Sequence, residues 1–227
     1  LSSMPSILMS LAIVAGFGQG IPQLILAITI GAIPGFTRVA RSVQERTREG
    51  WESTRLSADL YSLRGDLERV SAASCVCEVA RLCCFEDAED PFLYAITSRA
   101  LKACEEARDR AHLDLVCAAF AWKVLAHAGW RPELDGCCAC GDALVSRFLP
   151  LAGGLLCESC AKDVAGAEPV SPSQVAWLRA LLSGTFDELL AAPVDEQTSV
   201  WLLSCAHRWC AAHLDARLRA MEFALSC

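Results

Sequence analysis

Little in this chain points to chemistry on a substrate. It holds four histidines in 227 residues, and none stands at a ligand spacing with an acidic partner. His207 and His213 lie on different faces of a helix. Together with His112 and His127 they are expected at surface or cap positions. No Gly-x-x-x-x-Gly-Lys-Ser/Thr loop is present, so nucleotide hydrolysis of that kind is not expected. A basic excess is also missing: the net charge is −7 and the pI about 5.1. That argues against a protein coating nucleic acid over its whole surface, and leaves room for a local basic face. Charge is absent altogether from residues 1–37. Since no basic residue precedes this apolar stretch, a secretory signal peptide is not expected.

Cysteine is plentiful, with 14 in the chain. Four of them form two Cys-x-x-Cys pairs, Cys137 with Cys140 and Cys157 with Cys160, about sixteen residues apart. Such a turn lets two thiolates reach one ion at about 2.3 Å, and a second turn completes a tetrahedron. Gly141 follows the first pair, and Gly153 and Gly154 precede the second, where tight turns need positive φ. The spacing predicts a zinc site with Cys137, Cys140, Cys157 and Cys160 as ligands, closed and therefore structural. Two disulfides or loose thiols are the alternative, and Cys138 is the first substitute ligand. The remaining thiols sit mostly in apolar helical context, where cysteine behaves as a small buried hydrophobe. A long helical chain of this kind suits a reducing cytosol better than a secreted disulfide scaffold.

Two parts are expected, with a boundary near residue 50. Residues 1–50 comprise an apolar helical segment and a charged connector, Gln44 to Gly50. The apolar part is long enough for a membrane span, although Gly16, Gly18, Gly20 and Pro22 would divide it into two short helices. Arg38, Arg41, Arg46 and Arg48 would then keep the rest on the cytoplasmic side of an inner membrane. A buried helical hairpin is the other reading.

Residues 51–227 read as a mainly α domain with the zinc knuckle inserted at 137–160. Leu56, Leu60, Leu63, Leu67 and Val70 share one helical face, with Arg64, Glu68 and Arg69 off it. Asp90 and Pro91 predict a capped helix start after a loop. A further helix is expected over about 113–128, stopped by Gly129. Phe148 to Leu156 predicts a short strand pair framing the ion. Ser171-Pro172-Ser173-Gln174 predicts a cap, Gly184 closes that helix, and one last long helix is expected from Glu196 to Phe223. Trp122, Trp130, Trp177, Trp201 and Trp209 could stack on bases, but their helical spacing favours core packing. Arg208, Arg217 and Arg219, mixed with Asp215 and Glu222, predict an ordinary solvated face.

Two resemblances attach to these residues. Phe120 to Cys137 combines a helix ending in Gly-aromatic, a Pro132-Glu133-Leu134-Asp135 turn and Cys-x-x-Cys-Gly. With Gly153-Gly154-x-x-Cys157-x-x-Cys160, the upstream Ala72-Ala73-Ser74 and Glu78, and the tail from His213 to Phe223, it resembles the RecO family of recombination mediators over residues 55–227. The resemblance implies an N-terminal OB-fold, a helical domain and a zinc knuckle. It also implies DNA binding, strand annealing and recombinase loading, with a RecR-like partner and single-stranded-DNA-binding protein, and no enzymatic activity. Residues 1–50 lack the strand alternation of an OB-fold, so that module is expected to be absent, and with it much of the family's DNA contact. Separately, Ile21 to Ile28 and Ile33 to Arg41, within residues 1–43, resemble a fragment of dipeptide and oligopeptide ABC transporter permeases. The second functional reading is therefore a membrane-anchored interaction chain, or a transporter-derived chimera without DNA activity.

Overall fold

In a computed structural model the described residues are 66–84 and 90–226. The expectations for the apolar N-terminal segment, the connector, the absent OB-fold and Leu56, Leu60 and Leu63 lie outside them. Eight helices and three short strands follow in the order α1 (Leu67–Cys83), α2 (Pro91–Glu106), α3 (Arg110–His127), β1 (Arg147–Leu149), a 3-10 turn (Pro150–Ala152), β2 (Gly154–Leu156), α4 (Glu158–Ala161), β3 (Glu168–Pro169), α5 (Pro172–Ser183), α6 (Phe186–Ala191), α7 (Glu196–Leu214) and α8 (Arg219–Ser226). The mainly α class with an inserted cysteine module is borne out.

Helix α3 is the axis of the body. Every residue from His112 to Trp122 is buried, as expected of a helix apolar on all sides. Helices α1, α2, α5, α6 and α7 all pack on it, so α3 has no solvent face to spare over those turns. Trp122 meets Trp209 of α7 at 5.0 Å between ring centroids and Phe148 of β1 at 6.2 Å. This aromatic cluster joins the helical body to the strand module. Trp122 and Trp209 are core residues as expected, whereas Trp130 is 46% exposed.

Local signals set most helix starts. Asp90 accepts the N–H of Leu93, with Pro91 at the first helical position. Ser171 and Gln174 form a reciprocal capping box at α5. Gly184 is the C-cap of that helix. Among the described residues α1 starts at Leu67, and the expected leucine face does not carry through that residue. Asp66 adopts an extended conformation and accepts the N–H groups of Glu68 and Arg69, and Leu67 is 54% exposed. Leu67 therefore does not share a buried face with Val76 and Val79.

The last helix is a correction. It breaks after Leu214, where Asp215 takes the left-handed conformation at φ 45°. Chain direction resets, and α8 begins at Arg219. The cause lies far away in sequence: the Glu78 carboxylate accepts the N–H of Ala220 at 2.9 Å. A carboxylate at a helix N-terminus satisfies orphan donors and suits the dipole there. Burial nevertheless raises the Glu78 pKa above the ordinary carboxylate value.

Cations do the matching work at C-termini. Arg69, expected off the buried face, reaches the carbonyls of Cys104 at 2.6 Å and Ala107 at 2.7 Å at the end of α2. Lys123 donates to Leu182 and Gly184 at the end of α5. His112, expected at a surface or cap position, is 1% exposed. Its ring lies 2.6 Å from the Asp109 carboxylate and 3.1 Å from the Ala192 carbonyl.

Candidate metal centre

The strand module is a wall with two faces. Strand β1 pairs antiparallel with β2 and β3, in the order β2-β1-β3. Alternate residues of a strand point to opposite sides. Phe148 and Leu155 belong to the main core, while Leu149 and Leu156 pack around Cys137 and Cys157. One short hairpin thus seals the helical body on one side and the cysteine cluster on the other.

Backbone pairing fixes this wall to the end of α3. Glu133 N–H donates to Gly153 O at 2.9 Å, and Leu155 N–H donates to Glu133 O at 3.0 Å. The approach is close enough to demand glycine at residue 154. A Cβ there would lie 2.2 Å from the Glu133 carbonyl oxygen, and φ is +153°. Leu155 O in turn accepts the N–H of Cys138 at 2.8 Å. The sequence between Trp130 and Cys137 is therefore held against β2 before the first knuckle begins.

Each knuckle closes on itself. In the first, Gly141 N–H donates to Cys137 O and Cys137 N–H to Asp142 O, both at 2.8 Å. In the second, Cys157 caps the short helix α4, its sulfur accepting the N–H of Cys160 at 3.4 Å. Arg147 binds Glu158 through Nε at 3.3 Å, tying α4 to β1.

The four sequence-predicted residues are brought together. The sulfurs of Cys137, Cys140, Cys157 and Cys160 all lie within 4.8 Å of one another. The Cys140 and Cys157 sulfurs are 3.7 Å apart. A tetrahedron with sulfur at about 2.3 Å from its centre has edges of about 3.8 Å. The described cysteines are all free thiols, so the alternative of two disulfides finds no support here. Cys138 is half-buried and lies outside the converging group.

The protons are unevenly shared. The backbone N–H of Cys157, joined by those of Cys140 and Ala139, holds the Cys137 thiol down to about 6. The neighbouring sulfurs, Cys157 first, push the Cys160 thiol well up. Four like charges this close cannot coexist in a bare cluster. A divalent cation removes the conflict, so the donor set and its spacing both fit a soft, tetrahedral ion such as zinc.

The histidines, which were not expected as ligands, make other contacts. His213 stacks on Trp130 and meets Trp209 edge-on, and His127 pairs with Asp90. Arg208 pairs with Glu168, and Arg217 with Glu222 at 2.7 Å. Arg217 and Glu222 make the mixed, solvated face anticipated from the charge pattern, whereas Arg208 is half-buried and also donates to the Cys205 sulfur.

The comparisons with known proteins converge on this same stretch. The family model described as "Recombination protein O C terminal" matches residues 64–222. The chain belongs to the RecO family. It is 30% identical over 197 residues to DNA repair protein RecO of Desulforudis audaxviator, covering 85% of this chain and 77% of that protein. With DNA repair protein RecO of Symbiobacterium thermophilum it shares 32% identity over 176 residues, 71% of this chain and 65% of the other. RecO of Anaeromyxobacter dehalogenans matches at 30% over 203 residues. Membership places the chain among DNA repair and recombination proteins.

The permease resemblance of residues 1–43 is not borne out. An alignment over 85% of the chain is longer than residues 51–227 and takes in part of the stretch before residue 50 as RecO-like sequence. Among the described residues no helix is long and apolar enough to cross a membrane. The membrane-anchored reading is therefore not favoured.

Proposed function

We propose that this RecO-family chain is a non-enzymatic mediator of recombinational repair, whose C-terminal domain is held in shape by one zinc ion on Cys137, Cys140, Cys157 and Cys160. The observation that carries the proposal is the convergence of those four sulfurs within the RecO-matched segment. When bound, the ion would be a structural cross-link with no open position for water or substrate. The chain's own residues do the rest. Leu149 and Leu156 shield Cys137 and Cys157 from water. Phe148 and Leu155 pass the rigidity of the knuckle to α3 and α7.

The same reading covers partners and place. The protein acts in the cytoplasm, contacts single-stranded DNA, and works with a RecR-like partner and single-stranded-DNA-binding protein in annealing and recombinase loading. Residues 1–50 and 51–227 are separate units. Removing residues 1–50 should leave a helical body that retains its zinc, as read by circular dichroism and metal analysis. An unfolded or metal-free product would place the boundary elsewhere.

Two measurements test the main proposal. Metal analysis of the purified chain should find about one zinc per molecule. A titration with labelled single-stranded DNA should show affinity falling steeply with salt, because phosphate contacts release counterions. Metal-free folded protein would overturn the zinc assignment. Absence of DNA binding at low salt would overturn the mediator reading.

A further inference from the structure

The end of the bundle where α3 stops carries aromatic rings that the core does not use. Helix α3 finishes in a left-handed turn at Gly129, φ +97°. Trp130 N–H donates back to Leu125 O at 2.8 Å, and Trp130 O accepts the indole N–H of Trp209 at 3.1 Å. The backbone of Trp130 is thus pinned on both sides. Its ring stacks on His213, with centroids 4.6 Å apart and planes 18° apart. His213 in turn stands edge-on to the buried Trp209. Even with one face against His213, Trp130 is 46% exposed. Three residues earlier, His127 stacks on Phe92, itself 41% exposed, at 4.2 Å. Two half-open ring pairs therefore flank the end of α3: His127 on its last turn with Phe92 of α2, and Trp130 after its cap with His213 of α7.

The charges around them are selective. Arg131, next to Trp130, is exposed. Two nearby carboxylates have basic partners, Asp135 with Arg179 and Asp90 with His127, while Glu133 accepts the N–H of Asp135 and keeps its charge. The Arg131 guanidinium, without a partner among the described residues and beside open aromatic faces, suits a phosphate next to a base. Stacking on a ring is tolerant of sequence, because every base has a π-face. A docked protein is the competing occupant, since Trp and Arg also anchor protein interfaces. The rings' prior stacking on histidine favours a flat partner.

We propose that Trp130, with Arg131 beside it, is a base-stacking platform for single-stranded DNA on the helical domain, and that the Phe92–His127 pair extends it. The inference rests on the DNA-binding reading above. Bases lie on the outer face of Trp130, and Arg131 takes an adjoining phosphate.

The test is fluorescence anisotropy of the full chain with a labelled oligothymidine of about thirty nucleotides, at two salt concentrations. Trp130→Ala should weaken binding by about tenfold, and Trp130→Phe should restore most of it. Trp130→Leu keeps apolar bulk over His213 without a π-face, and should bind as weakly as the alanine variant. It decides the matter if the alanine variant fails to fold. Arg131→Gln should weaken binding less and lower the salt slope by about one phosphate contact. Folded Trp130→Leu that binds DNA like the parent overturns the platform while leaving the mediator reading intact. Loss of binding to a RecR-like protein with unchanged DNA affinity would make the face a protein interface and also overturn the platform. Failure of the parent chain to bind any DNA would instead sink the reading on which the platform rests.

Discussion

The cysteines of the helical body and those of the strand module are one residue type in opposite surroundings. In the body, Cys75, Cys83, Cys104, Cys117, Cys205 and Cys210 are buried among apolar helices. Burial pushes Cys77 up to about 12 and Cys205 to about 11. Cys117 is raised by its hydrogen bond with Cys75 and by burial. Such thiols stay protonated and act as small hydrophobes. In the module, four thiols face one another and backbone N–H groups point at sulfur. The difference is what each sulfur can see: hydrocarbon in one case, other sulfurs and peptide dipoles in the other. Cysteine content alone therefore says little about metal binding. Convergence and access to donors decide it.

The sharpest way to break this contrast is to remove one sulfur from each region. Cys157→Ser should abolish zinc binding and unravel residues 137–160, because structural zinc contributes on the order of 10 kcal/mol to the fold it closes. Metal content should fall to near zero, while the helical signal of the body largely persists. Cys117→Ser, by contrast, should leave metal content unchanged. Retained zinc in the first variant would mean that another thiol, with Cys138 the nearest in sequence to the knuckle, replaces it.

Trp122→Ala probes the opposite side of the comparison. Trp122 is fully buried between α7 and β1, and deleting a core tryptophan costs about 3–5 kcal/mol. Thermal melting should show a large loss in the body. The knuckle, closed by its own bonds, should still bind zinc in the folded fraction. If zinc affinity falls as steeply as stability, the two regions are one cooperative unit and the wall of β1 and β2 couples them.

A smaller effect sharpens the account of burial. Asp114 is buried in α3, and desolvation raises its carboxyl to about 6, against the opposing pull of Arg110 and Ser199. The folded state then holds a proton up to about pH 6, which the unfolded chain releases near pH 4. Folding stability must fall as pH rises through that window, and the penalty is complete above it. Asp114→Asn should therefore stabilise the protein at pH 7.5 by up to about 3 kcal/mol, with the gain vanishing below about pH 4. Denaturant melts across that range check the sign. A destabilised variant at neutral pH would mean that the Asp114 charge is needed by Arg110.

How much was legible depended on the distance between cause and effect. The cap of Asp90 on Leu93 and the box of Ser171 with Gln174 are three-residue signals, and the structure holds them as expected. The box of Thr185 with Glu188 carries the same signal and starts α6. The hairpin at β1 and β2 follows from apolar residues around paired glycines. The break at Asp215 does not, because the stretch from His213 to Arg217 holds neither glycine nor proline. Glu78, more than a hundred residues earlier, supplies the cap that restarts the chain as α8. Likewise Arg69 and Lys123 look like solvent-facing cations in sequence, and only packing delivers them to helix C-termini. In the candidate site, the two cysteine pairs were readable, but the role of Glu133 and the close approach at Gly154 were not.

The sequence by itself determined which sulfurs could share an ion, since a two-residue gap brings two side chains to one side of a turn whatever surrounds it. It also determined most helix starts, because a cap acts over a single turn. The tertiary structure alone decided which helix lies at the centre, where the last helix bends, and which tryptophan is left open to solvent. Those outcomes depend on contacts between residues far apart in the chain, whose free energy exists only once the elements have packed.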